Sequence, residues 1–91
     1  MWKLAKIFKA LGNERRLAIL KILSRRRFLS VSQIADDLKL SVRSTSKHLL
    51  ILEAAGLVLR RQRQLNVFYS LPGLKRRTLN SSLLRLLKKE L

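Results

Sequence analysis

The chain has 91 residues, which fits one domain with a modest core and leaves no room for a separate catalytic or ligand-binding domain. Apolar residues make up 47% of it, enough to exclude a disordered basic tail. Its 21 lysines and arginines against five acidic residues give a net charge of +16, which predicts strong, salt-sensitive attraction to a polyanion.

Two amphipathic helices are predicted at the start of the chain. Apolar residues at helical spacing, with lysines between them, indicate a first helix over 2–11. Gly12 and Asn13 break it, and Asn13 can cap a second helix whose leucines and isoleucines supply a buried side. The run 25–27, all arginine, falls at the end of that helix, where it suits either a solvated helix terminus or a phosphate contact.

A pair of short helices follows. Ser30 and Gln33 have capping-box spacing and predict a third helix of about eight residues. Ser41 caps a fourth helix over 41–55, which stops at Gly56. Because the second of these helices is polar at its start and apolar later, the pair predicts a helix-turn-helix with 41–55 as recognition helix.

The part of the chain after Gly56 is predicted to form a β-hairpin wing over 57–71 and a last helix over 74–91. The strands are read as 57–61 and 65–71, joined by the polar stretch 62–64, and the lack of glycine there leaves the turn type open. The predicted fold is mainly α with a small β-hairpin, a single winged helix-turn-helix domain over 1–91 in the order ααααββα.

The fourth helix divides into two faces. Helical spacing predicts that a stripe faces the core, namely Val42, Thr45, Leu49 and Leu52. Polar residues lie on a different face, which suits insertion into a major groove. The predicted DNA contacts of this helix, with Thr45 counted among them, are Ser41, Arg43, Ser44, Thr45, Lys47 and His48.

Individual roles follow from the chemistry of these side chains. Arg43 is the best candidate for bidentate reading of guanine, whereas Lys47 suits phosphate, which gives affinity without sequence information. Ser41 and Ser44 can donate to phosphate or bases, although capping alone explains Ser41. His48 fits a backbone contact and a packed surface histidine equally well.

The wing supplies a second set of candidate contacts. Its polar residues could follow the DNA backbone or enter a minor groove, and an edge strand guarded by charge would look the same in sequence. The neighbouring basic helix favours contact with DNA. The predicted wing contacts are Arg60, Arg61, Gln62, Arg63 and Gln64.

Three strings together resemble the ArsR-type winged helix-turn-helix repressors: ALGNERRLAILKIL at 10–23, VSQIADDLKLSVRSTSKHLLILEAAGLV at 31–58 and VFYSL at 67–71. The resemblance runs from about residue 5 to 72. It implies a homodimer paired through the terminal helices, 1–12 and 74–91, and a palindromic operator read by the fourth helix, with the wing on flanking DNA.

The predicted dimer contacts are apolar residues of those two terminal helices. Ordinary core packing within one chain would use the same residue types. The residues are Trp2, Ile7, Phe8, Leu79, Leu83, Leu86 and Leu87.

The metal-sensing motifs of that family are missing. Where many members carry a Cys-x-Cys motif, this chain has Ser30 and Ser32, and residues 74–91 contain neither Asp nor His. With no cysteine and one histidine in the chain, no metal site or other cofactor is predicted.

Two other functions remain open at this stage: a nonspecific nucleic-acid-coating protein and an RNA-associated winged-helix module. An enzyme is not predicted, because no nucleophile, base and orienting group can be assembled. No signal peptide or membrane span is predicted either, which suggests a cytoplasmic, nucleoid-associated protein.

Overall fold

The computed structural model describes residues 2–73 and residue 89. Its elements in chain order are α1 (Trp2–Leu11), α2 (Glu14–Arg25), β1 (Leu29–Ser30), α3 (Val31–Leu38), α4 (Val42–Ala54), β2 (Leu59–Arg63) and β3 (Asn66–Ser70). The predicted helix over 74–91 lies outside the described residues, apart from residue 89.

Side-chain caps explain where the helices begin. The Asn13 side chain accepts hydrogen bonds from the backbone of Arg15 (3.0 Å) and Arg16 (3.2 Å) at the start of α2. Ser30 accepts from the Gln33 backbone (3.2 Å) while the Gln33 side chain accepts from the Ser30 backbone (2.9 Å), which completes the predicted capping box of α3.

The turn between α3 and α4 is tight because one residue takes a left-handed conformation. Lys39 has φ 55° and ends α3. This lets the Leu40 backbone donate to Ala35 O at 2.9 Å, so a carbonyl at the end of α3 is satisfied. Ser41 then caps α4 by accepting from the Ser44 backbone at 3.0 Å. Only three residues, 39–41, thus separate α3 from α4.

The sheet has three antiparallel strands in the order β1-β3-β2, of which the sequence predicted only the hairpin. β1 pairs Leu29 with Tyr69 and Ser30 with Phe68. The predicted connection at 62–64 was wrong: β2 continues to Arg63, which pairs with Asn66, and the turn is 64–65. Gln64 reaches φ 55° there, a conformation for which the sequence offers no glycine.

The core joins all of the helices to the sheet. Among its fully buried residues are Ile19, Leu29, Ile34 and Leu57, one each from α2, β1, α3 and the segment after α4. The predicted core stripe of α4 is confirmed for Thr45, Leu49 and Leu52, all fully buried. It was wrong for Val42, which is 48% exposed because it is the first residue of the helix and lies beyond the packed part of the stripe.

Replacing Leu52 by alanine should lower the free energy of unfolding by about 2–5 kcal/mol, because a fully buried side chain leaves a cavity behind. Leu50→Ala is the matched control on the same helix, since Leu50 is 62% exposed, and should change it by no more than about 0.5 kcal/mol. Urea unfolding at one protein concentration measures both. Equal losses would contradict the orientation of α4.

Candidate nucleic-acid interface

The outward face of α4 carries two unpaired cations. Arg43 and Lys47 stand one helical turn apart and are exposed. Within residues 2–73, neither side chain takes part in an ion pair or hydrogen bond. Because the buried stripe fixes the rotation of the helix, both cations point to solvent, where an external anion can reach them.

The side-chain hydroxyls of Ser41 and Thr45 differ in exposure and in hydrogen bonding. Ser41 is exposed, but its oxygen already accepts the capping hydrogen bond from the Ser44 backbone. Thr45 is completely buried and its hydroxyl donates to Ser41 O at 2.9 Å. The prediction that Thr45 contacts DNA was therefore wrong: the side chain fixes the first turn of α4 and has no surface to offer a ligand.

His48 is held by Arg16 of α2. Arg16 Nη1 lies 3.3 Å from His48 Nδ1, while its Nε donates to Ala10 O at 2.6 Å and its Nη2 to Lys9 O at 3.1 Å. A guanidinium has only donors, so Nδ1 is the acceptor and the proton of the neutral ring resides on Nε2. Arg16 thereby connects the end of α1, the start of α2 and the outer part of α4.

No sequence pattern distinguished Arg16 from its neighbours. It is one of two adjacent arginines, and only Arg16 bends back onto α1. The two α1 carbonyls that it satisfies are at the negative end of the helix dipole, which favours a cation there. Spacing along one helix could not reveal this contact, because His48 is 32 positions away.

The register of the wing divides its polar residues between two faces. Arg60 pairs with Tyr69, whose side chain is buried on the core side, so Arg60 and Gln62 share that side of the sheet. Arg61 pairs with Phe68, so Arg61 and Arg63 belong to the opposite face. All five predicted wing contacts are exposed, but only Gln64 is in the turn.

The residue at the tip of the wing was missed by the sequence reading. Leu65, assigned there to a strand, is the second residue of the turn and 96% exposed. An exposed apolar side chain at a hairpin tip, next to the basic strand β2, is the kind of residue that DNA-binding wings can insert into a minor groove.

Of the predicted dimer residues, the structure describes the side chains of two. Ile7 is only 8% exposed and packs in the core of its own chain, so its assignment to a partner interface was wrong. Phe8 next to it is 56% exposed and remains available. The side chain of Trp2 and the leucines at 79, 83, 86 and 87 lie outside the described part of the chain.

Two kinds of feature are absent from the described residues. No helix among them has the length and apolar character needed to cross a membrane. No group of three or more His, Cys, Asp or Glu side chains in that part of the chain is arranged to hold a metal ion.

Two helices joined by a tight turn, with the second held against a core and followed by a β-hairpin, define a winged helix-turn-helix. Solved structures share this fold. HlyU from Vibrio cholerae superposes with a TM-score of 0.79 and 36% identity over 97% of this chain and 90% of that chain. A homodimeric winged helix-turn-helix DNA-binding domain from Mycobacterium bovis superposes with a TM-score of 0.81 and 28% identity, over 97% of this chain and 77% of that chain.

Sequence comparison agrees. Residues 13–59 match the family described as "Bacterial regulatory protein, arsR family". An uncharacterized HTH-type transcriptional regulator from Methanocaldococcus jannaschii is 43% identical over 67 residues, 74% of this chain and 75% of that protein. The V. cholerae transcriptional activator HlyU is 43% identical over 65 residues, 71% of this chain but 59% of its own length. The chain belongs to the ArsR family and is a transcriptional regulator, not an enzyme.

The folded chain should lose stability as the pH drops below about 6.5. Burial, then the charges of Arg16 and Arg15, lower the pKa of His48 from its ordinary value of 6.5. The unfolded chain therefore takes up this proton at a higher pH than the folded chain, so the free energy of unfolding falls as the pH drops below 6.5. The loss is complete once the pH is below the lowered pKa.

An NMR titration of the His48 ring and urea unfolding between pH 8 and pH 5 test this. His48→Gln keeps an acceptor toward Arg16 but cannot titrate, so its stability should lack this component of the pH dependence. Arg16→Met should move the pKa of His48 upward, toward its ordinary value. A ring pKa at or above 6.5 in the folded protein would contradict the contact.

Proposed function

We propose that this regulator is a homodimeric DNA-binding repressor that reads a palindromic operator. The observation that carries the proposal is the exposed Arg43–Lys47 pair on a helix whose rotation is fixed by its buried side. A major groove accepts one α-helix and presents base edges to its first turns. Family membership and the homodimeric relative from M. bovis support the same function.

Contacts on α4 divide into reading and anchoring. Arg43, in the first turn, donates bidentately to a guanine, whereas Lys47 and the free Nε2–H of His48 donate to phosphate oxygens. Ser44 offers a further donor beside Arg43. The hydroxyl of Ser41 can donate to phosphate while it caps the helix, because it accepts the capping bond through oxygen and keeps its own proton.

The wing and the overall charge supply affinity. The wing residues Arg60, Arg61, Gln62, Arg63 and Gln64 follow the recognition helix in the chain and are all exposed. They contact the DNA backbone beside the major groove, with Leu65 at the tip. The charge of +16 makes this binding steeply salt-dependent and favours a nucleoid-associated location in the cytoplasm.

A twofold-symmetric dimer implies two half-sites centred about one helical turn apart. Repression then needs only occupancy of a promoter by the dimer. HlyU is called an activator, so the same fold also serves the opposite direction of control. A promoter–reporter fusion measured with and without the protein determines the direction here, and repression is the expected result.

Selection of bound duplexes from a random pool at physiological salt tests the proposal. Enrichment of a palindrome supports the regulator and the dimer together. The high charge alone would favour a nonspecific coating protein, for which every duplex competes equally and nothing is enriched. Preferential binding of structured RNA over duplex DNA at matched salt would also overturn the proposal.

On the selected operator, Arg43→Ala and Lys47→Ala should have different effects although each removes one cation from the same face. Arg43→Ala should cost about 1–3 kcal/mol on the operator and relax discrimination at one base pair per half-site. Lys47→Ala should weaken operator and random duplex alike and lower the salt slope by about one per protomer.

Fluorescence anisotropy titrations over a salt series, with operator and with single-base variants, measure both effects. Leu50→Ala, an exposed change on the same helix that removes no charge, is the control for the fold. If Arg43→Ala weakened operator and random DNA by the same factor, the reading role of Arg43 would be wrong.

A further inference from the structure

A cleft of about 110 Å³ lies on the face of the sheet turned away from the core. It is lined by Phe28, Arg61, Arg63 and Phe68, and almost all of the lining is carbon. Phe68 of β3 pairs with Arg61 of β2, and Phe28 directly precedes β1, so the cleft extends from β2 across β3 to the residue before β1.

Packing of the hydrophobic core does not account for the aromatic residues of the cleft. Phe28 is 54% exposed although it directly precedes Leu29, which is fully buried. Phe68 is half-buried, and among residues 2–73 the lining of the cleft includes no aliphatic side chain over the two rings. Aromatic surface exposed beside charged groups is typical of binding sites rather than of inert surface.

Two arginines, Arg61 and Arg63, line the cleft together with the two aromatic rings. Neither the Arg61 nor the Arg63 side chain has an ion pair or hydrogen bond within residues 2–73. Because the lining is almost all apolar, the stems of both arginines line the cleft, and a guanidinium on such a stem can stay in water at the open side. A guanidinium presents a planar fork of donors that matches a carboxylate.

We propose that the cleft is an effector site for a small single-ring aromatic carboxylate. The ring lies between Phe28 and Phe68, and the carboxylate accepts hydrogen bonds from Arg61 and Arg63. The cleft, at about 110 Å³, is smaller than an apolar cavity of about 150 Å³ that holds benzene. Because the cleft is open on one side, a single ring can enter it in part and keep its charged group at the opening.

Resting on the proposed function, the site also carries a regulatory consequence. Arg61 and Arg63 are among the wing residues proposed to contact the DNA backbone, and a guanidinium held by the ligand's carboxylate is not available to a phosphate. Ligand and operator therefore compete, and by linkage each weakens the binding of the other by the same factor. The effector releases the protein from DNA.

Isothermal titration calorimetry of the DNA-free protein with benzoate tests the site independently of any operator. Acetate, a carboxylate without a ring, and benzyl alcohol, a ring without charge, are the matched probes at equal ionic strength. Benzoate should bind saturably, with an affinity at least about tenfold above either probe. Equal affinities for benzoate and acetate, or no binding of any probe because another segment or a second copy fills the cleft, would overturn the proposal.

Adjacent arginines of β2 provide matched variants. Arg61→Gln should weaken benzoate binding at least about tenfold. Phe28→Ala should weaken it by a similar factor, and because Phe28 is exposed, this substitution should leave the core intact. Arg60→Gln removes the same charge from the same strand but on the other face, and should leave benzoate binding within about twofold. If Arg60→Gln and Arg61→Gln acted alike, the carboxylate would be held by general charge and not by the cleft.

Operator titrations with benzoate or acetate at equal concentration complete the test. Benzoate should weaken operator binding by wild type and by Arg60→Gln, and should not affect Arg61→Gln. Benzoate binding without any effect on the operator would overturn the regulatory part. If no operator exists, the calorimetry still decides whether the ligand site does.

Discussion

The burial of one side of α4 is the constraint on which the candidate site depends. Thr45, Leu49 and Leu52 are all fully buried, so the helix has no freedom to rotate about its axis. With 3.6 residues per turn, that rotation turns Arg43 and Lys47 outward. The Thr45 hydroxyl adds a bond to Ser41 O within the capped first turn, where a reading residue has to be rigid. Core packing and recognition geometry are thus one property of this helix.

A basic chain this small must fold against its own repulsion. Within residues 2–73, acids contribute one ion pair, Arg26 with Asp37 at 2.9 Å, and it is too exposed to add much stability. Arg16 shows the other means of stabilisation: its guanidinium satisfies two carbonyls at the end of α1 and leaves one donor for His48. Backbone dipoles here stabilise a cation where carboxylates are scarce. The unpaired cations of α4 and the wing stay exposed to solvent.

Local rules predicted much of the fold, and long-range contacts explain the errors. Caps at Asn13, Ser30 and Ser41 were readable because each depends on residues two or three positions away. β1 has only two residues and exists through pairing with β3, about forty positions further on, which no local pattern encodes. The same holds for the Arg16–His48 contact. Thr45 was wrongly assigned to DNA contact and Ile7 to a dimer interface. Whether a residue is polar or apolar does not by itself determine whether its side chain is buried within its own chain.

The alternation along β2 bears directly on regulation. A strand presents neighbouring residues to opposite faces, so Arg60 and Arg61 share a backbone and a charge but have different surroundings. Any molecule that binds the Phe28–Phe68 face engages only alternate arginines and leaves the others free. Its influence on DNA binding is then limited to the contacts of Arg61 and Arg63, which α4 does not share. The proposed effector at this face then reduces affinity through the wing while Arg43 keeps its orientation, so the released protein retains its specificity for the proposed operator.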